Sequence, residues 1–209
     1  KELDGSFYDG TELILDNNIL PEEHLDNKSK LSELIEKYSI AISTASNISK
    51  ESVLVYKFSS IGEFEHRLLG VQEGKFKYNG DERFIDYPES LILEALSIKK
   101  ARNQFDLKNI NILFPDIRNE KNFLDLKKII SLNGIKRSIN FKFYCEISIP
   151  SILFDLEHFD NNEVDGFVLN YEKYKKLITF RSNIREGDHK IIINIIKKIS
   201  EISKKKKLD

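Results

Sequence analysis

"KFYCEISIPSILFD" spans residues 142–155, and its reading decides the fold. The first half is rich in aromatic and β-branched residues, which favours a buried strand. Pro150 then closes the strand, and an apolar helical pattern follows. Strand ends of this kind carry the chemistry in α/β barrels. This one offers a single carboxylate, Glu146, and then Ser148-Ile149-Pro150. It is either the rim of an active site or the remains of one.

The same alternation extends in both directions. Further strands are expected at 3–8, 53–58, 109–114 and 166–170. Residues 11–15 read as helical or extended, giving six candidate strands with 142–149. Between them, 30–45 is amphipathic, with Leu31, Leu34, Ile35, Tyr38 and Ile42 on one face. Pro88 opens a helix over 89–105. Another helix over 120–132 stops at Asn133-Gly134. Short helices are expected at 151–159 and 171–178. A last long one covers 190–204, with Ile192, Ile195, Ile196 and Ile199 inward. Strands alternating with helices, each strand nearly continuous in apolar residues, predict a parallel sheet covered on both faces. No internal repeat or long linker divides the chain, so 1–209 is read as one domain.

Composition bounds the function. The 209 residues are 40% hydrophobic and 32% charged, with a net charge of −1. That is an ordinary globular composition, and no global field favours nucleic acid or a membrane surface. The basic run at 204–207 reads as a solvated helix end that complements the helix dipole. The single cysteine, Cys145, lies mid-strand, so no disulfide framework forms and a reducing, cytoplasmic setting is expected. No signal peptide and no bilayer-spanning apolar run is read. The first residue is lysine, which fits a processed or truncated chain. The four histidines have no metal-ligand spacing, and 160–163 reads as a turn rather than a calcium loop.

At "NINILFPDIRNEKNFLDLKKIISLNGIKR" (109–137) the chain resembles the C-terminal barrel of the phosphoenolpyruvate-utilising enzymes, closest to phosphoenolpyruvate synthase. That family has a strand ending in Pro-Phe-Val-Arg, a helix, and then Asn-Gly-Leu-Lys-Arg. The matches here are Pro115, Ile117, Arg118, Asn133, Gly134, Ile135, Lys136 and Arg137. "DGSFYDGTELILDNNILPEEHL" (4–25), "VYKFSSIGEFEHRLLG" (55–70), "ERFIDYPESLILEALSIKKARNQFDLKN" (82–109), "SIPSILFD" (148–155) and "VDGF" (164–167) continue it in order. The resemblance implies a TIM-type (β/α) barrel, incomplete at about six of eight strands. Its seventh strand and the one bearing a proton-donating cysteine would lie beyond residue 209.

It also implies a site that binds phosphoenolpyruvate or pyruvate through Mg²⁺. Arginines would clamp phosphate and carboxylate, and a Glu and an Asp at adjacent strand ends would hold the metal. This sequence departs from that set. Gly10 or Leu15 stands at the first arginine. Lys57 replaces the second, which keeps charge but not the fork, and Ser60 replaces the aspartate beside it. Asn79 stands at the third arginine. Ser148 occupies the place of the metal-binding glutamate, with Glu146 two residues earlier on the same strand face, about 7 Å deeper. Glu172 and Lys173 stand where the family has Asn-Asp. Arg67 is retained in a matching segment.

The expected function is therefore a catalytically degenerate barrel, with no cofactor and no catalytic residue, acting as an interaction or regulatory protein. Its open barrel edge would be covered by a protein partner or by self-association, a homodimer being the simplest case. The alternative is the phosphoenolpyruvate- or pyruvate-binding fragment of a working synthase, a phosphotransferase. Lys57, Asn79 and Arg67 would then touch substrate, and Glu146 and Glu172 would be displaced Mg²⁺ ligands. A third reading is metal-free anion binding by Lys57, Arg67 and Arg83.

Overall fold

The computed structural model describes residues 5–49, 52–72, 80–179 and 186–208. Among these, five strands form one parallel sheet: β1 (Gly5–Asp9), β2 (Val53–Lys57), β3 (Ile110–Phe114), β4 (Phe143–Ile147) and β5 (Gly166–Leu169). They pair in sequence order, β1-β2-β3-β4-β5, with every ladder parallel. Right-handed crossovers that always advance in one direction put the connecting helices on one side of the sheet. The sheet curls into half a barrel, which fits a partial barrel.

The helices are α1 (Gly10–Asn17), α2 (Lys28–Ile48), α3 (Glu63–Leu68), α4 (Asp81–Asp86), α5 (Pro88–Gln104), α6 (Glu120–Leu132), α7 (Tyr171–Thr179) and α8 (Glu186–Lys206). Tight 3₁₀ turns occupy Pro21–His24 and Pro150–Phe154. The sixth expected strand, at 11–15, is a helix. Asp9 caps it by accepting from the Thr11 amide at 3.0 Å, and Asn18 ends it in the left-handed region. The capping chemistry outweighs the weak alternation of that segment. The short helix expected at 151–159 is the 3₁₀ turn, and α3 and α4 lie where no helix was expected.

Register separates the two faces of the sheet. Tyr56, Ile112 and Phe143 are aligned across β2, β3 and β4, and all three are fully buried beneath the helices. Phe114 joins this layer and stacks on Phe58, Phe123 and Phe143. The opposite, concave face carries Phe7 and Val55, then a row formed by Asp9, Lys57, Leu113 and Tyr144. Phe7 is 60% exposed there, whereas Tyr56 in the other layer is not exposed at all. That second row brings charge to the C-terminal rim of the sheet.

At the other rim, Arg137 grips Asp165 with two parallel hydrogen bonds, Nε to Oδ2 at 2.7 Å and Nη2 to Oδ1 at 2.6 Å. Asp165 also accepts from the Phe143 amide at 2.7 Å, fixing the starts of β4 and β5 together. Gly134, with φ +79°, ends α6 as Asn133-Gly134 predicts. On α8 one expectation is reversed. Ile192 is buried and Ile195 and Ile199 are half-buried, but Ile196 is 44% exposed. Helical spacing turns Ile196 a quarter-turn away from the inward row.

Candidate functional site

The candidate site sits at the C-terminal ends of the strands, where side chains from every strand of the sheet converge. Lys57, at the end of β2, places Nζ 2.7 Å from Asp9 Oδ2 at the end of β1 and 3.8 Å from Glu146 Oε1 on β4. Burial would lower the Lys57 ammonium, but Glu146 and Asp9 outweigh it and hold it raised. Glu146 is only 3% exposed. Its Oε1 accepts from Asn170 Nδ2 at 2.9 Å, and its Oε2 accepts from the Asp116 amide at 3.1 Å.

Asp116 is the hub. It follows Pro115 at the end of β3 in the left-handed region, with φ +56°, a conformation that costs a non-glycine residue energy and that neighbours must hold. Gly80 makes room for it, since a Cβ there would come within 2.6 Å of the Asp116 Cβ. Oδ1 accepts from Ser148 Oγ at 2.7 Å and from Lys173 Nζ at 2.5 Å, and Oδ2 accepts from the Ser60 hydroxyl. Burial pushes the Asp116 carboxyl up, but Lys173 and the two hydroxyls prevail and leave it below the ordinary aspartate value.

Above this cluster opens a pocket of about 700 Å³, with Ser60, Asp116, Arg118, Asn170, Lys173 and Lys176 among its walls. Arg118 is held there by Glu82 and by the fully buried Asp81, which also accepts from the Arg118 amide at 3.0 Å and from Asn122 at 2.8 Å. The pocket lining holds three cations, Arg118, Lys173 and Lys176, and three carboxylates, Glu65, Asp116 and Glu172. Its formal charges cancel.

The structure thus brings together Lys57, Ser60, Glu146, Ser148 and Lys173, and it separates others. Glu172 lies on the pocket rim, 2.6 Å from Lys175. Arg67 is exposed on α3 and is not part of the pocket wall. Arg83 is buried below the site, 2.6 Å from Glu22 and 2.8 Å from the Ser59 hydroxyl. Lys57, Arg67 and Arg83 therefore form no common anion site. Asn79 lies outside the described residues. Gly10 begins α1 where a Cβ would meet the Tyr56 hydroxyl at 2.5 Å and Glu94 at 2.6 Å, so no side chain fits.

Asp9, Asp116 and Asn170 escaped the sequence reading. Asp116 had one available signal, its place directly after a strand-ending proline in "FPDIR". The donor set does not fit a resident Mg²⁺. Both oxygens of Asp116 and both of Glu146 already accept from protein N–H, O–H or ammonium groups, and the Lys173 charge sits where a cation would be drawn. Among the described residues no group of three or more His, Cys, Asp or Glu is placed to hold a metal.

Comparison with known proteins finds partial matches at low identity. The chain is similar to phosphoenolpyruvate synthase. It is 27% identical over 158 residues to the phosphoenolpyruvate synthase of Aeropyrum pernix, covering 69% of this chain and 19% of that protein. It is 28% identical over 168 residues to the probable phosphoenolpyruvate synthase of Staphylothermus marinus, covering 74% of this chain and 20% of that one. The chain thus spans about a fifth of the length of the curated relatives it matches. No family model matches it. The similarity supports a domain related to phosphoenolpyruvate synthase. Among the described residues no helix is long and apolar enough to cross a membrane.

Proposed function

We propose that this chain is one partial barrel domain, related to phosphoenolpyruvate synthase, that has kept the scaffold and lost metal-dependent chemistry. In this reading it acts as an interaction or regulatory protein in the cytoplasm. One observation carries it: the Lys173 ammonium lies on Asp116, inside a cluster whose carboxylate oxygens are already taken up by protein donors. An enolate-forming site needs exposed carboxylates for the metal and uncompensated cations for the phosphate. Here the carboxylates and cations neutralise one another, and the pocket above has no net formal charge to draw a polyanion. Such a cluster ties strands together; it does not hold a ligand.

The loss at Gly10 supports the same reading. A residual phosphate site could survive one missing arginine if another side chain entered the space. At Gly10 the space is filled by Tyr56 and Glu94, which belong to a buried polar network with Ser59.

Calorimetry tests the proposal. Mg²⁺ with phosphoenolpyruvate, and separately with oxalate as an enolate mimic, is titrated into the purified chain, and each titration is repeated in chelator. The expected result is no binding heat in any arm. Heat that requires the metal would overturn the reading and favour a working fragment of a synthase. Heat that persists in chelator would overturn it in favour of metal-free anion binding.

A further inference from the structure

On the helix side of the sheet, four elements bring polar side chains to one buried place. Glu22 comes from the 3₁₀ turn Pro21–His24, Tyr38 from α2, Arg83 from α4 and Ser90 from α5. Tyr38 and Ser90 are fully buried and Arg83 nearly so, and the Glu22 side chain is only 1% exposed. Arg83 Nε donates to Glu22 Oε1 at 2.6 Å, and Nη1 donates to the Ser59 hydroxyl at 2.8 Å. Ser59 in turn donates to Glu94 Oε1 at 2.5 Å, and Tyr56 donates to Glu94 Oε2 at 2.8 Å. The guanidinium is thereby pinned on two sides.

That pinning leaves a remainder. Among the described residues, Arg83 Nη2, Glu22 Oε2, the Tyr38 hydroxyl and Ser90 Oγ have no hydrogen-bond partner. The four belong together. Nε and Nη2 share one edge of the guanidinium fork, so Nη2 and Oε2 flank the same Arg83–Glu22 bond. Burial raises the Tyr38 hydroxyl, Glu94 and Glu22 add to the rise and Arg83 opposes it, which places that hydroxyl in the field of all three charges. Ser90 stands one turn before Glu94 on the same face of α5.

Native interiors pair such groups with protein or with ordered water, because each is costly when desolvated alone. The chemistry of this set selects the ligand. Nη2 can only donate and Oε2 can only accept, while the two hydroxyls can do both. A cation would be repelled by Arg83 and an anion by Glu22. Water is complementary to the whole set: it accepts from Nη2, donates to Oε2 and keeps one donor and one acceptor position for the hydroxyls, within the two to four polar partners that a buried water needs.

We propose that this point is a binding site for an ordered internal water, which bridges Arg83 Nη2 to Glu22 Oε2 and serves the hydroxyls of Tyr38 and Ser90. The water closes the ion pair into a ring and ties α2 and α5 to α4 and the 3₁₀ turn. The inference goes beyond the proposed function, and it stands or falls whether or not the strand-end cluster takes a ligand.

A high-resolution crystal structure of the full chain is the first test. The expected result is a solvent peak within hydrogen-bonding distance of Nη2, Oε2 and at least one of the two hydroxyls. A Glu22 carboxylate turned so that Nη2 and Oε2 bond directly, or no solvent peak there, would overturn the proposal. In solution, water-selective cross-relaxation should reach the Arg83 side-chain protons, and its absence would count equally against the site. Tyr38→Phe separates a bridged hydroxyl from an unpaired one. Removing an unpaired buried hydroxyl leaves stability unchanged or raises it, whereas removing one bonded to water strips the water of a partner and lowers it. The urea midpoint of Tyr38→Phe should therefore fall with an unchanged slope, and the water signal at Arg83 should weaken. A midpoint that holds or rises would show that the Tyr38 hydroxyl has no water to bind.

Discussion

Lys173 Nζ lies 2.5 Å from Asp116 Oδ1, joining the first turn of α7 to the end of β3. Asp116 is 2% exposed, and a carboxylate buried so deeply is costly without a counter-charge. The chain supplies that charge itself. Replacing Lys173 with Met leaves Asp116 with two hydroxyl donors and no cation in direct contact, only the more distant charges of Lys57 and Arg118. Because the lysine side chain is 43% exposed, solvent screens the pair, and the expected loss is about 1 kcal/mol. Urea unfolding of Lys173→Met, Asp116→Asn and the double variant measures it. The double variant should be less destabilised than the two single losses summed.

Acid should release the same contact. The Asp116 carboxyl is held below its ordinary value of 3.8 despite burial, because Lys173, Ser148 and Ser60 favour the charged form. A lowered folded value contributes stability that is complete above the unfolded value and is lost as pH falls through the folded one. Thermal unfolding followed downward from pH 5 should therefore show a shallower acid decline for Asp116→Asn than for the unmodified chain. Glu94 acts in the opposite sense. Burial raises its carboxyl against the pull of Arg83, Ser59 and Tyr56, so its contribution is lost as pH rises. Comparing the variant with its parent cancels that term. Equal slopes would mean that the Asp116 carboxyl titrates alike in the folded and unfolded chain, and a steeper decline in the variant would mean that folding raises it.

Much of the frame was legible in the sequence and much of the site was not, for one reason. Strand positions such as 53–58 and 109–114 are set by local composition, and the helix stop at Asn133-Gly134 by a single backbone requirement. Segment 11–15, read as helical or extended, is resolved as a helix capped by the Asp9 hydrogen bond. The strand-end cluster depends on which side chains meet across elements far apart in sequence. Lys173 could be read as hostile to a metal, but not as the partner of Asp116, 57 residues away. Arg67 and Arg83 carry the right charge and are turned elsewhere by α3 and by Glu22, which only the packed structure reveals.

The Gly10 position can be tested by adding the smallest side chain. A Cβ would come within 3.0 Å of three atoms: the Tyr56 hydroxyl, Glu94 Oε2 and the Lys57 carbonyl. Tyr56 and Glu94 are fully buried and hydrogen-bonded to each other at 2.8 Å, so neither can retreat cheaply. Gly10→Ala should cost about 2 kcal/mol, in the range of overpacking a filled interior. Gly10→Arg should fail to fold or fold poorly, and should not create anion binding. A stable, folded Gly10→Arg chain that binds phosphate would show that this space can open.

Arg137 and Asp165 belong to segments that carry the family resemblance, yet they stand at the rim opposite the site. Their two parallel hydrogen bonds, with the Phe143 amide on the same carboxylate, fasten the start of β4 to the start of β5. The hydrogen bond to Asp165 holds the Arg137 guanidinium above its ordinary value. Retention here serves the frame. Arg137→Ala should lower stability by about 2 kcal/mol, the loss expected when charged hydrogen bonds in a partly buried setting are removed. Arg137→Lys should recover only part of it, because one ammonium cannot serve both oxygens in the plane of a fork. Amide hydrogen exchange supplies the local readout: the Phe143 amide should exchange faster in Arg137→Ala, while the Asp116 amide, held by Glu146 at the other end of the sheet, keeps its protection. Equal acceleration at both ends would mean that the pair supports the whole sheet rather than its N-terminal rim.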